Sequence, residues 1–149
     1  MLVAWNEKER RMRMLIWHVD AFVAEPTERG RSPVADAEPQ AVRVDNALVV
    51  FAAAEEKDEA EPKEAATRAT TVIEKTAKQL GVQTIVLHSF AHLFVEKLAA
   101  PAIAQQILTE TQAQLEVDGY SASQTAFGWF NRLEMHAKGH PLSRVARQV

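Results

Sequence analysis

The sequence predicts an α+β domain, a small mixed sheet with two main helices packed on it, and three observations carry that prediction. Apolar runs of strand length recur at RMLIWHV (13–19), AVRVDNALVVFAAA (41–54), VQTIVLH (82–88) and TAFGWFNRLEMHA (125–137). Two longer stretches repeat their apolar residues at helical spacing, each opened by a proline and closed by a glycine. The resulting order is β-β-α-β-α-β with a short tail and no internal repeat, which suits helices packed on one small sheet.

The elements follow in order. Residues 1–11, MLVAWNEKERR, read as an N-terminal extension, leaving 12–149 as a single domain. RMLIWHV is apolar enough to be buried on both faces of a sheet. AEPTERGRSPVADAEPQ (24–40), dense in proline, glycine and charge, reads as a loop. Its length marks it as a binding loop, a lid or a mobile segment. The run 41–54 is one long strand, or two with Asp45-Asn46 bending between them. After an acidic stretch, Pro62 opens a helix that places Ala65, Ala69, Val72, Ile73 and Leu80 on one face before Gly81. The third strand ends at His88. Pro101 then opens a second helix with Ile103, Ile107, Leu108, Thr111 and Leu115 on one face, closed by Gly119. The last run carries Gly128 inside it, a place where a ligand or another backbone can come close.

At 149 residues the chain buries about two-thirds of its unfolded surface as one domain. It has no cysteine, which removes disulfides, zinc-thiolate sites and thiol catalysis. No apolar run approaches the roughly 20 residues that cross a bilayer and no signal pattern opens the chain, so no membrane and a cytoplasmic location are expected. The net charge of −3 argues against a general nucleic-acid coat. Yet Met135 to Val149 holds Lys138, Arg144 and Arg147 and no acid. Such a segment suits a polyanion touched at one small place, or an ordinary solvated tail.

Motifs for chemistry are sparse. His88, His92 and Glu96 look like helical metal ligands, but residues eight apart on a helix lie about 12 Å apart along the axis. One ion with bonds of about 2 Å cannot gather both ends, so neither metal nor cofactor is expected. No serine sits in a G-x-S-x-G elbow, and no phosphate-binding glycine loop is present.

Three segments taken together say more. RMLIWHVD (13–20), SFAHLFVEKLAAPAIAQQIL (89–108) and AFGWFNRLEMHAKGHPLSR (126–144) resemble the N-terminal editing domain of archaeal-type threonyl-tRNA synthetases. The matching pieces are His18 and Asp20, Phe90-Ala91-His92-Leu93 with Pro101, Phe127-Gly128, and Lys138-Gly139-His140-Pro141-Leu142. They fall in the family's order over nearly the whole chain. The resemblance implies a D-aminoacyl-tRNA deacylase-like fold, with the small sheet forming a partial barrel. It also implies hydrolysis of serine wrongly esterified to threonine tRNA. Serine lacks only one methyl of threonine, a difference worth about 1–3 kcal/mol in a synthetic site, so a second, smaller site must supply the missing discrimination.

By that resemblance the catalytic positions are His92, Asn131 and Gly128. Substrate contacts fall to Val50, Phe51, Ala91, Phe127 and Phe130, and tRNA contacts to Lys138, His140 and Arg144. The implied partners are the 3′ end of threonine tRNA carrying serine and a threonyl-tRNA synthetase catalytic chain, and the fold is compatible with a homodimer. Each assignment has a plainer alternative. His92 can be a turn histidine, Val50 and Phe51 core residues, Phe127-Gly128 core packing with a bulge, and the basic residues a solvated surface. His18 and His88 read as structural.

The family pattern carries lysine where this chain has Asn131, tyrosine where it has Phe130 and glutamate where it has Arg144. Proline before Phe90 and before Phe127 gives way to Ser89 and Ala126. A neutral amide is no acid or base near neutrality, so Asn131 is left with positioning. Either the chain is inactive, or main-chain N–H groups near Ala91 and Gly128 bind the oxyanion while the terminal 2′-hydroxyl of the RNA orients water. The alternatives to an editing hydrolase are a non-catalytic module that binds tRNA ends or a synthetase, and a D-aminoacyl-tRNA deacylase.

Overall fold

Strand β1 (Arg13–Arg29) is the axis of the molecule, with every other strand hung directly or indirectly from it. The computed structural model describes residues 12–91 and 97–149. The expected extension at 1–11 and the expected site residue His92 lie outside them. Along one side of β1 runs β2 (Val42–Ala53), antiparallel, from Arg13↔Ala53 to Ala24↔Val42. Beyond β2 come β3 (Thr84–Ser89) and β4 (Ser121–Gln124), both parallel to their neighbours. The other side of β1 is shared by β5 (Trp129–Ala137) and β6 (Arg144–Gln148). The α+β prediction of a mixed sheet with two helices therefore holds.

Parallel neighbours need a crossover, and the two helices supply both. Helix α1 (Pro62–Leu80) joins β2 to β3, and α2 (Pro101–Val117) lies between β3 and β4. Pro62 and Pro101 stand in the first turns, where a missing N–H costs nothing. Ala65, Ala69, Ile73 and Ala77 bury one face of α1, and Ile107, Leu108, Thr111 and Leu115 one face of α2. Gly81 ends α1 in the left-handed conformation at φ +67°.

Both helices cover one sheet face, where Met14, Ile16, Leu48, Val50, Ile85 and Leu87 pack against them as the main core. A second cluster, with Val19, Phe22, Val49 and Val86 fully buried, fills the opposite face where β1 and β2 bend. The bend falls at Asp20 and Asn46, opposite each other and absent from the ladder. Asn46 has φ +45°, so β2 is one strand with a kink and not two.

Three expectations are corrected. The proposed loop at 24–40 starts later, because β1 runs through Pro26 to Arg29. Past Ala24 this strand has only β5 as a neighbour, and a bulge between Pro26 and Glu28 absorbs the missing donor. The strand expected at 125–137 begins four residues later, because 125–128 is a turn between β4, ending at Gln124, and β5, beginning at Trp129. These two strands lie at opposite ends of the sheet order, and in the turn that joins them Gly128 has φ +77°. The short tail is a strand, because β6 completes the pairing of β1 from Arg13 to Trp17.

Candidate active site

A cleft of about 310 Å³ opens beyond the carboxyl ends of β2 and β3, the usual place for a ligand between parallel strands. Five segments form its walls. Ala53 and Ala54 come from the end of β2; His88, Ser89 and Ala91 come from β3 and its continuation. Leu98 to Ala104 supply the start of α2, and the turn from Thr125 to Asn131 faces Gly30, Arg31 and Ser32 of the long loop. Among the described residues alanine is the commonest in the lining, alongside the larger Leu98, Phe127, Trp129 and Phe130 and the polar Arg31, His88 and Asn131.

The turn at 125–128 is locked to the loop by Asp36. Its main-chain N–H donates to Phe127 O at 2.9 Å, and its carboxylate accepts from Phe127 N–H at 3.0 Å. Asp36 O takes the indole N–H of Trp129 at 2.9 Å, and Gln105 of α2 reaches its carboxylate at 3.3 Å. Gly30 N–H donates to Gly128 O at 2.8 Å. A Cβ on Gly128 would lie 2.6 Å from Ala35 Cβ and against Val34 O. Of the two close approaches expected at this glycine, a ligand or another backbone, the space on the side where a Cβ would stand is taken by the backbone of the 34–35 loop.

His88 is buried, with Nδ1 2.8 Å from Thr125 Oγ1 and its ring 5.0 Å from that of Phe51. Burial pushes its pKa down to about 4, so it stands neutral in the cleft at physiological pH. Asn131 donates from Nδ2 to Trp129 O at 3.2 Å and Ala126 O at 3.4 Å. Its Oδ1 is buried without a partner among the described residues, leaving an acceptor at the cleft wall. No carboxylate is among the described residues lining the cleft.

Of the residues singled out in the sequence, Ala91, Phe127, Gly128, Phe130 and Asn131 come together in this cleft. Val50 is buried beneath the helices, and Phe51 lies on the opposite sheet face, so neither side chain lines it. Lys138, His140 and Arg144 are also outside its walls. They belong to the excursion 138–143 and the first residue of β6. Lys138 pairs with Asp20, His140 meets His18, and the Arg144 guanidinium lies 5.3 Å over the Trp17 ring. His88 and Thr125 were missed as cleft residues. The parallel pairing of β3 with β4 brings them together, and only the polar residue after a parallel strand hints at it.

The family profile described as the archaea-specific editing domain of threonyl-tRNA synthetase matches residues 12–149. A threonine–tRNA ligase of Methanopyrus kandleri is 38% identical over 140 residues, covering 93% of this chain and 22% of that protein. One from Thermococcus gammatolerans is 35% identical over 141 residues, with the same coverage. The chain thus spans about a fifth of the length of these relatives. A solved structure titled as a probable eukaryotic D-amino acid tRNA deacylase superposes with a TM-score of 0.63 at 12% identity. It covers 93% of this chain and 99% of that one, a likeness of fold. By its match to the family profile and to these relatives, this chain belongs to the archaea-specific editing domain family of threonyl-tRNA synthetase.

Proposed function

We propose that the chain hydrolyses L-serine from threonine tRNA, with the ester seated between Ala91 and the Phe127-Gly128 turn. The observation that carries this reading is the lining itself. Among the described residues, its ionisable groups are Arg31 and a His88 held neutral, so the walls offer no carboxylate base. Ester cleavage in such a site rests on main-chain donors and on a group the substrate brings. The 2′-hydroxyl beside the ester orients the attacking water, whose oxygen bonds to the carbonyl carbon. The tetrahedral oxyanion is held by N–H groups. As it collapses, the ester bond breaks, and the ribose 3′-oxygen leaves with a proton that originates in the water. On this reading, the alanines at 53, 54, 91, 99, 104 and 126 are the small lining residues among which a hydroxymethyl side chain would sit.

Deacylation of L-seryl-, L-threonyl- and D-aminoacyl-tRNA tests the reading in one assay. Loss of serine alone is expected. Loss of the D-aminoacyl group would make the chain a chirality editor, and loss of none would leave a binding module.

A further inference from the structure

The sheet face turned away from the helices carries a run of aromatic rings that begins at the lip of the cleft. Val86, His88 and Phe90 alternate onto this face along β3 and its continuation, and Phe90 N–H still pairs with Ala52 O. Phe90 is 40% exposed and stacks on Phe51, with centroids 5.7 Å apart and planes 29° from parallel. Phe51 meets Trp17 at 6.2 Å, and beyond Trp17 lies the guanidinium of Arg144. Core packing accounts for the half-buried rings. It does not account for an exposed Phe90, or for a cation held over the far end of the row.

Arg144 is exposed, donates to Lys138 O at 3.1 Å and enters no ion pair with the described residues. The segment around it, 135–149, contains no acidic residue. A strip of π-faces beside an unneutralised arginine is suited to single-stranded nucleic acid, whose bases stack on rings and whose phosphates take the cation. The strip leads directly to the cleft through Ser89 and Ala91, where the acylated end of the RNA is placed. We propose that it seats the unpaired nucleotides preceding the acylated adenosine. Bases lie against Phe90 and its aromatic support, and Arg144 holds a phosphate. This inference rests on the deacylase reading above.

The test compares two esters, L-seryl-tRNA and L-seryl-adenosine, the second lacking every preceding nucleotide. Wild type, Arg144→Ala, Phe90→Ala and Phe90→Leu are assayed for KM on both, with melting curves to establish folding. The ratio of KM for the tRNA to KM for the short ester should rise about tenfold in each variant. The leucine variant, which keeps apolar bulk without a ring, should match the alanine one. Arg144→Ala should also reduce the salt slope of tRNA binding by about one. Hydrolysis of both esters with the ratio unmoved overturns the strip and leaves the deacylase intact. A wild type that hydrolyses neither overturns both.

Discussion

His18 Nδ1 lies 2.8 Å from His140 Nε2, and this contact ties the excursion 138–143 to β1. Strands β5 and β6 form one line along β1, broken opposite His18, whose main chain takes Lys138 N–H and donates to Ser143 O. Leu142 N–H donates to His140 Nδ1, so Nε2 carries the hydrogen given to His18. Burial lowers the His18 pKa, hydrogen bonding to Asn46 opposes that, and Lys138 and His140 add to the lowering while Asp20 opposes it. The neutral form is thus favoured in the fold. Its contribution is complete above the ordinary value of 6.5 and is lost as pH falls through the lowered one. Amide exchange at Lys138 and His18, corrected for intrinsic rates, should accelerate as pH drops below 6.5. His140→Ala should cut protection there about tenfold, the equivalent of one hydrogen bond. Unchanged protection in that variant would mean the main-chain pairs hold the excursion unaided.

Gly128→Ala should destabilise the domain by about 2–3 kcal/mol, combining a positive φ with contact against the 34–35 loop. Urea unfolding reads this directly. Gly139 is the control, because a Cβ there meets nothing within 4 Å, and its alanine variant should unfold within about 0.5 kcal/mol of wild type.

What the sequence disclosed, and what it withheld, follows from the range of the interactions. Ala65, Ala69 and Ile73 repeat at helical spacing, so the buried face of α1 is legible from a dozen residues of text. The Phe127-Gly128 turn is legible as a place of close approach. What approaches it, the loop held by Asp36 some 91 residues away, is a long-range pairing that no local pattern encodes. TAFGWF reads as strand throughout because its residues suit a strand, whereas the contacts of Asp36 hold 125–128 as a turn and β5 begins only at Trp129. The same holds for His88. Its alternation marks a strand correctly, while its place in the cleft depends on β4 arriving beside it.

Glu74 of α1 and Asp118 at the end of α2 form a pair whose proton sets a pH dependence. Burial, then a hydrogen bond and repulsion from Asp118, raise the Glu74 pKa to about 7, against 4.5 ordinarily. A raised acid stabilises the fold when protonated, so the contribution is complete below pH 4.5 and disappears as pH climbs through about 7. Discounted for water at partly exposed carboxylates, the loss is about 1–2 kcal/mol. Glu74→Gln should remove that slope and raise the melting temperature above neutrality by about 2–5 °C. A melting curve that keeps its slope between those pH values would assign it to other groups.

Asn131 lines the cleft, and its contacts decide what its replacement should cost. Its Nδ2 holds the carbonyls of Ala126 and Trp129, shaping the turn beside the cleft, while Oδ1 is left as an acceptor. If the amide only positions, Asn131→Ala should lower kcat/KM for seryl-tRNA by less than about thirtyfold, or about 2 kcal/mol of barrier. Asn131→Asp retains the acceptor and loses the two donors, so it should cost at least as much. Replacing the terminal 2′-hydroxyl of the RNA by hydrogen should, by contrast, nearly abolish turnover. An inactive Asn131→Ala enzyme that remains folded, together with a 2′-deoxy substrate that still reacts, would move the chemistry from the substrate back to this side chain.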